Sequence, residues 1–184
     1  MKKILVVVDM QNDFIDGALG TKEAEAIVEN VIRKIKGYKD DYIFATRDTH
    51  PENYLETQEG KNLPVKHCIK GTGGWQIQPE IQELIVKYQG KIIDKPTFGS
   101  VRLADQVSRL VRKLEEEGES AEIELVGLCT DICVVSNALL LKARMPEIPI
   151  FVDPTCCAGV TPELHEAALK TMSSCQIHLW QETE

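Results

Sequence analysis

The residues best suited to chemistry in this chain are a thiol, a carboxylate and an ammonium, each placed where a strand should end. Cys133 lies in GLCTDICVV, Gly127 to Val135. The apolar run Ile123–Leu128 reads as a buried strand, and Ile132–Ala143 has helical spacing, so Cys133 falls in a helix's first turn. There the unpaired N–H groups and the dipole favour the thiolate, the form that attacks carbonyl carbon. The competing reading is a small buried hydrophobe, since free cysteine is among the most buried residue types. Asp9 ends the β-branched run Lys2–Val8, at the place where open α/β sheets receive ligands. Lys95 follows the short run Ile92–Asp94, at a turn marked by Pro96 and Gly99. Either charge alone would more often be an ordinary strand-end surface group.

A second constellation has metal-ligand character. After the β-like run Tyr42–Thr46 come Asp48, His50 and, beyond a polar loop, His67. Asp-x-His puts two ligands on one side of an extended segment, and a further histidine can close a site for zinc, iron or manganese. The loop is long for a compact domain, and such loops tend to carry function. The alternative is that these histidines are loop and core residues without a metal.

The elements that must position these groups alternate regularly. Strands are expected at Ile4–Val8, Tyr42–Thr46, Lys91–Ile93, Ile123–Gly127, Pro149–Val152 and Gln176–Leu179, and helices at Lys22–Lys36, Pro79–Lys87, Val101–Glu117, Ile132–Ala143 and Pro162–Ser173. Right-handed βαβ crossovers then predict an α/β three-layer Rossmann-like sandwich, with a six-stranded, mainly parallel sheet and helices on both faces. The first strand ends in Asp-Met-Gln-Asn-Asp and not in a glycine-rich turn, which argues against a dinucleotide cradle. At 184 residues the chain reads as a single domain, 1–184, large enough to bury about 70% of its unfolded surface.

DMQNDF, KPTFGS and GLCTDICV, in this order and spacing, resemble the isochorismatase-like cysteine hydrolases, the superfamily containing nicotinamidase. The resemblance implies an Asp-Lys-Cys triad at Asp9, Lys95 and Cys133. It also implies an oxyanion hole from the backbone N–H groups of Cys129 and Cys133, with a cis peptide at Leu128–Cys129. In nicotinamidases a metal beside the triad can bind the substrate's pyridine nitrogen. Asp48, His50 and His67 match that site, with Glu59, Glu56 or water as the fourth ligand and zinc as the first expectation. The implied reaction is nicotinamide to nicotinate plus ammonia through a thioester on Cys133. Alternatives are another small amide, an isochorismatase-type substrate, or a non-catalytic, metabolite-binding member. Phe14 and Phe98 are expected to line the pocket against a flat ring, or else to be plain core. The chain departs from the nicotinamidase pattern after Asp-x-His, where Pro51, Glu52, Asn53 and Tyr54 stand in place of a Trp and a second His.

Composition narrows the partners. A net charge of −8 without a basic stripe argues against nucleic acid. No apolar stretch approaches the length of a membrane span, and the apolar run of MKKILVVVDMQ is too short for a signal peptide. The six cysteines include no C-x-x-C pair, which fits reduced thiols and a cytoplasmic location. Cys156 and Cys157 are expected in a loop after a strand ending at Val152. Relatives are commonly oligomers, so the resemblance implies a homo-oligomer acting on a small-molecule amide.

Overall fold

The computed structural model describes residues 1–180. β1 (Lys2–Val8) forms because five successive apolar residues can be buried on both faces at once, and the sheet supplies that burial. It pairs with β2 (Tyr42–Asp48) on one side and β4 (Ala121–Leu128) on the other. β3 (Lys91–Lys95), β5 (Ile150–Ala158) and β6 (His178–Leu179) complete an all-parallel sheet in the order β3-β2-β1-β4-β5-β6. The expected "mainly parallel" sheet is thus parallel throughout.

The period of two along β1 divides the core. Ile4, Val6 and Val8 join α6 (Val101–Glu116), α7 (Val135–Arg144) and α8 (Pro162–Ser174) on one face. Leu5 and Val7 join α2 (Lys22–Ala26), α3 (Val28–Gly37) and α5 (Pro79–Lys87) on the other. Two short helices, α1 (Asn12–Ile15) and α4 (Gln58–Asn62), lie in the connections near the carboxyl ends of the strands. No helix among the described residues is long and apolar enough to cross a membrane.

Three expectations are corrected. The helix expected over Lys22–Lys36 is interrupted at Ile27, which closes α2 and caps α3. Cys156 and Cys157 lie within β5 and not in a loop: after a register shift between Leu125 and Gly127, pairing resumes at Gly127–Cys157 and Leu128–Ala158. The physical reason is a β-bulge, which absorbs Pro154 without ending the ladder. The helix expected from Ile132 begins as a π-helical turn, Thr130–Val134, that passes into α7. Gly127 prepares that turn. It has φ +119, and a Cβ there would lie 2.1 Å from the Val8 carbonyl oxygen, so only glycine lets β4 approach β1 at this point.

Candidate active site

The carboxyl ends of β1, β3 and β4 bring Asp9, Lys95 and Cys133 together. Asp9 turns the chain with φ 47, a conformation aspartate tolerates better than most residues. Lys95 Nζ stands 2.7 Å from Asp9 Oδ2 and 3.5 Å from Cys133 Sγ. Lys95 also donates to the Thr97 carbonyl at 3.0 Å and lies 3.4 Å from Asp48 Oδ1. Thr46 Oγ1 donates to Asp9 Oδ1 at 2.7 Å. Asp9 Oδ2 has the ion pair with Lys95 but no directed hydrogen bond, although it is fully buried.

Burial raises the Asp9 pKa, and Lys95 opposes that rise without cancelling it. For Lys95, burial acts downward, but Asp9, Cys133 and Asp48 outweigh it and hold the ammonium charged. Burial also pushes the Cys133 thiol well up, reinforced by the Asp9 charge and only partly offset by Lys95. Desolvation and a neighbouring carboxylate thus oppose the backbone field at the helix start. Burial favours the uncharged thiol and raises the basicity of the carboxylate beside it.

The nucleophile turn is held from both sides. Asn137, buried in α7, donates to the carbonyls of Cys133 at 2.8 Å and Phe98 at 3.2 Å, and accepts from Ser100 N–H at 2.9 Å. Thr130 Oγ1 meets His165 Nδ1 at 2.8 Å, and Asp131 Oδ1 accepts from Val160 N–H at 2.9 Å. The Leu128–Cys129 peptide is cis. Cys129 follows it directly, and the π-helical turn then carries the chain to Cys133.

Asp48 joins this cluster to a second one. Its Oδ1 faces Lys95, while Oδ2 lies 3.0 Å from His50 Nε2 and 3.9 Å from His67 Nε2. Glu59 Oε1, from α4, is 3.5 Å from His50 Nε2 and 3.9 Å from His67 Nε2. The four ligand atoms all lie within 4.8 Å of one another. His67 Nδ1 contacts the Val65 carbonyl at 2.8 Å, which orients Nε2 toward the cluster in the manner of a metal-bound imidazole. His50 Nε2 is buried and without a hydrogen-bond partner. Two imidazoles, two carboxylates and an orphaned ring nitrogen fit a divalent ion such as zinc. Of the alternatives for the fourth ligand, Glu59 is at the cluster; Glu56 is exposed and accepts from Asn53 instead.

The cavity beside both clusters measures about 210 Å³. Phe14 and Phe98 line it, with Cys133, Cys129, His67 and Glu59 at its polar end. Sequence reasoning missed Leu19, Leu63 and Val160, which also form its wall. Their signal was an apolar residue inside an otherwise polar connection. It also missed Tyr54, fully buried, whose ring packs 4.7 Å from His50 and 5.0 Å from His67 and whose hydroxyl donates to the Leu63 carbonyl at 3.0 Å. Tyr54 occupies part of the stretch where the nicotinamidase pattern is broken.

A parallel α/β sheet with an acid, an ammonium and a thiol at its strand ends, opening on an apolar cavity, defines the class as a doubly wound enzyme scaffold with a cysteine at its centre. The chain belongs to the isochorismatase family, whose Isochorismatase domain matches residues 3–182, and is a hydrolase of that family. It is 27% identical to the nicotinamidase of Saccharomyces cerevisiae over 88% of this chain and 91% of that protein. The solved pyrazinamidase/nicotinamidase of Streptococcus mutans superposes with a TM-score of 0.81 at 26% identity, covering 97% of this chain and 100% of that one. The pyrazinamidase of Pyrococcus horikoshii, crystallised in complex with zinc, gives a TM-score of 0.75 at 27% identity over 98% and 99% of the two chains.

Proposed function

We propose that the protein is a cysteine-dependent amidohydrolase that converts nicotinamide to nicotinate and ammonia. The observation that carries this reading is the meeting of Lys95 Nζ with Asp9 Oδ2 at 2.7 Å and Cys133 Sγ at 3.5 Å, next to an apolar cavity. Asp9, kept as carboxylate by Lys95, takes the Cys133 proton as sulfur attacks the amide carbon. The oxygen of the tetrahedral intermediate receives hydrogen bonds from the Cys129 and Cys133 backbone N–H groups, donors of a kind each worth about 100- to 1,000-fold in turnover. Asp9 returns the proton to the departing nitrogen, and ammonia leaves a thioester on Cys133. Water, deprotonated by the same carboxylate, then releases the acid and restores the thiol.

Asp48, His50, Glu59 and His67 would hold a divalent metal, with zinc favoured by the donor set and by the zinc complex of the Pyrococcus horikoshii relative. Once bound, the ion would supply a Lewis acid for a ring nitrogen. The chain's own residues supply the rest of the selectivity. Phe14, Phe98 and Leu63 present apolar faces to a flat ring, and the volume of about 210 Å³ lies below the range of about 300–1,000 Å³ typical of drug-sized ligands. Among the described residues lining the cavity none is Lys or Arg, which favours an uncharged amide over a substrate bearing carboxylates. The test is ammonia release from nicotinamide by the reduced protein beside Cys133→Ala. Release that depends on Cys133 supports the proposal; release by Cys133→Ala, or none by either protein, contradicts it.

A further inference from the structure

The turn that follows Asp9 contains more order than a strand end needs. Gln11 is fully buried, and its carboxamide pairs with both main-chain groups of Asp48. Nε2 donates to the Asp48 carbonyl at 2.8 Å, and Oε1 accepts from the Asp48 N–H at 2.7 Å. Nε2 also donates to the Trp75 carbonyl at 2.9 Å. A side-chain amide offers the same donor and acceptor as a peptide group, so this two-point pairing fixes both the position and the roll of the Asp48 backbone. Two residues on, Asp13 Oδ2 accepts from the N–H of Cys68 at 2.7 Å. Cys68 directly follows His67.

The same turn is joined along its length to the loop beyond His67. Asn12 Nδ2 donates to the Gly73 carbonyl at 2.8 Å, Asn12 N–H to Gln76 O at 3.0 Å, and Asp13 N–H to Gly74 O at 3.0 Å. A Cβ on residue 74 would come within 2.1 Å of Asp13 Oδ2, so the approach depends on glycine there. Proton transfer between Asp9 and Cys133 uses none of these contacts, and neither Gln11 nor Asp13 lines the cavity. What the contacts have in common is the main chain at Asp48 and His67, two of the four residues whose ligand atoms cluster.

Resting on the reading of that cluster as a metal site, we infer that Gln11 and Asp13 are positioning residues for the metal. Gln11 holds Asp48 from the end of β2, and Asp13 holds His67 from the loop after α4. One turn thus carries the proposed general base and sets two ligands that come from distant parts of the chain. Groups that orient ligands from behind typically govern metal affinity by about 10- to 100-fold.

The experiment measures zinc affinity of the full chain by competition with a chromogenic chelator, for wild type, Gln11→Glu, Asp13→Ala and Asp13→Asn. Gln11→Glu preserves size but loses both donated hydrogen bonds, and Asp13→Ala loses the acceptor for Cys68. Each is expected to weaken zinc by about 10- to 100-fold. Asp13→Asn keeps an acceptor oxygen and is expected to stay near wild type. Thermal unfolding of the metal-free proteins, recorded alongside, measures the purely structural cost, which alone would leave the affinity of the folded protein unchanged. Folded Gln11→Glu and Asp13→Ala that hold zinc as tightly as wild type would overturn the inference, as would Asp13→Asn falling as far as Asp13→Ala. Should Gln11→Glu fail to fold, the two Asp13 variants decide. Wild type that binds no zinc removes the metal reading and this inference with it, an outcome distinct from tight binding by wild type and variants alike.

Discussion

Two lysines in this molecule, Lys95 buried and Lys34 partly buried, each lie between two carboxylates, and they are finished differently. Lys34, on α3, is 2.6 Å from Glu124 Oε1 and 2.7 Å from Asp153 Oδ2, with the Trp180 ring 3.9 Å away. The remaining oxygens there are also engaged: Tyr38 donates to Glu124 Oε2, and Thr155 donates to Asp153 Oδ1 through both N–H and Oγ1. Lys95 sits among Asp9, Asp48 and a thiol, and there Asp9 Oδ2 has only its ion pair with Lys95, and His50 Nε2 only its ionic contacts with Asp48 and Glu59. A closed network rigidifies the packing of α3 against β4 and β5. An open one costs stability, because a buried polar group short of hydrogen bonds is expensive, and retains acceptors that a proton, a substrate or a metal can use.

The largest effect should come from the open cluster. Cys133→Ala and Asp9→Asn are each expected to lower kcat for nicotinamide by about 10⁴-fold or more, Cys133→Ala with little change in unfolding temperature. Loss of the fold instead of the turnover would erase the distinction between the two clusters. Lys34→Met should do the reverse. It leaves Glu124 and Asp153 buried without their cation, which costs about 3 kcal/mol of stability, read from urea unfolding, while kcat stays near wild type. A Lys34→Met protein as stable as wild type would mean that the closed network contributes nothing.

The pH dependence of that difference sharpens the comparison. Burial pushes Asp153 up, but Lys34 and Thr155 outweigh it and lower its pKa below the ordinary 3.8. Burial acts downward on Lys34, but Asp153 and Glu124 raise it above 10.5. The first contribution is present above 3.8 and disappears as pH falls through the lowered value; the second is present below 10.5 and disappears as pH rises through the raised value. The stability gap between wild type and Lys34→Met should therefore be flat through neutral pH and shrink at both extremes. A gap that varies through neutrality would contradict the pairing. The smallest effect belongs to the cavity wall. Phe98 is 44% exposed, so Phe98→Ala should cost about 1 kcal/mol of substrate binding, seen as a rise in KM with kcat retained.

Legibility followed the way each part is held in place. Asp9, Lys95 and Cys133 could be found because short apolar runs announce strands, and a parallel sheet gathers its strand ends at one edge. Asp48 and His50 shared that advantage. Glu59, Leu63 and Tyr54 did not, because α4 and the single 3-10 turn Tyr54–Glu56 arise in a polar loop without periodicity. Pro154 and the polar residues around it marked an end to β5 that the bulge overrides. The environment of Cys133 was only half legible: the sequence displays a helix start, but the burial and the Asp9 charge that raise the thiol's pKa exist only once the chain has folded.

The most direct test of the account is to add hydroxylamine to the reduced enzyme while it turns over nicotinamide, and to measure both products. A thioester on Cys133 is expected to partition, so that hydroxamate replaces nicotinate in proportion to hydroxylamine while the rate of nicotinamide loss is held by acylation. Turnover that gives nicotinate alone at every hydroxylamine concentration would contradict the covalent role of Cys133.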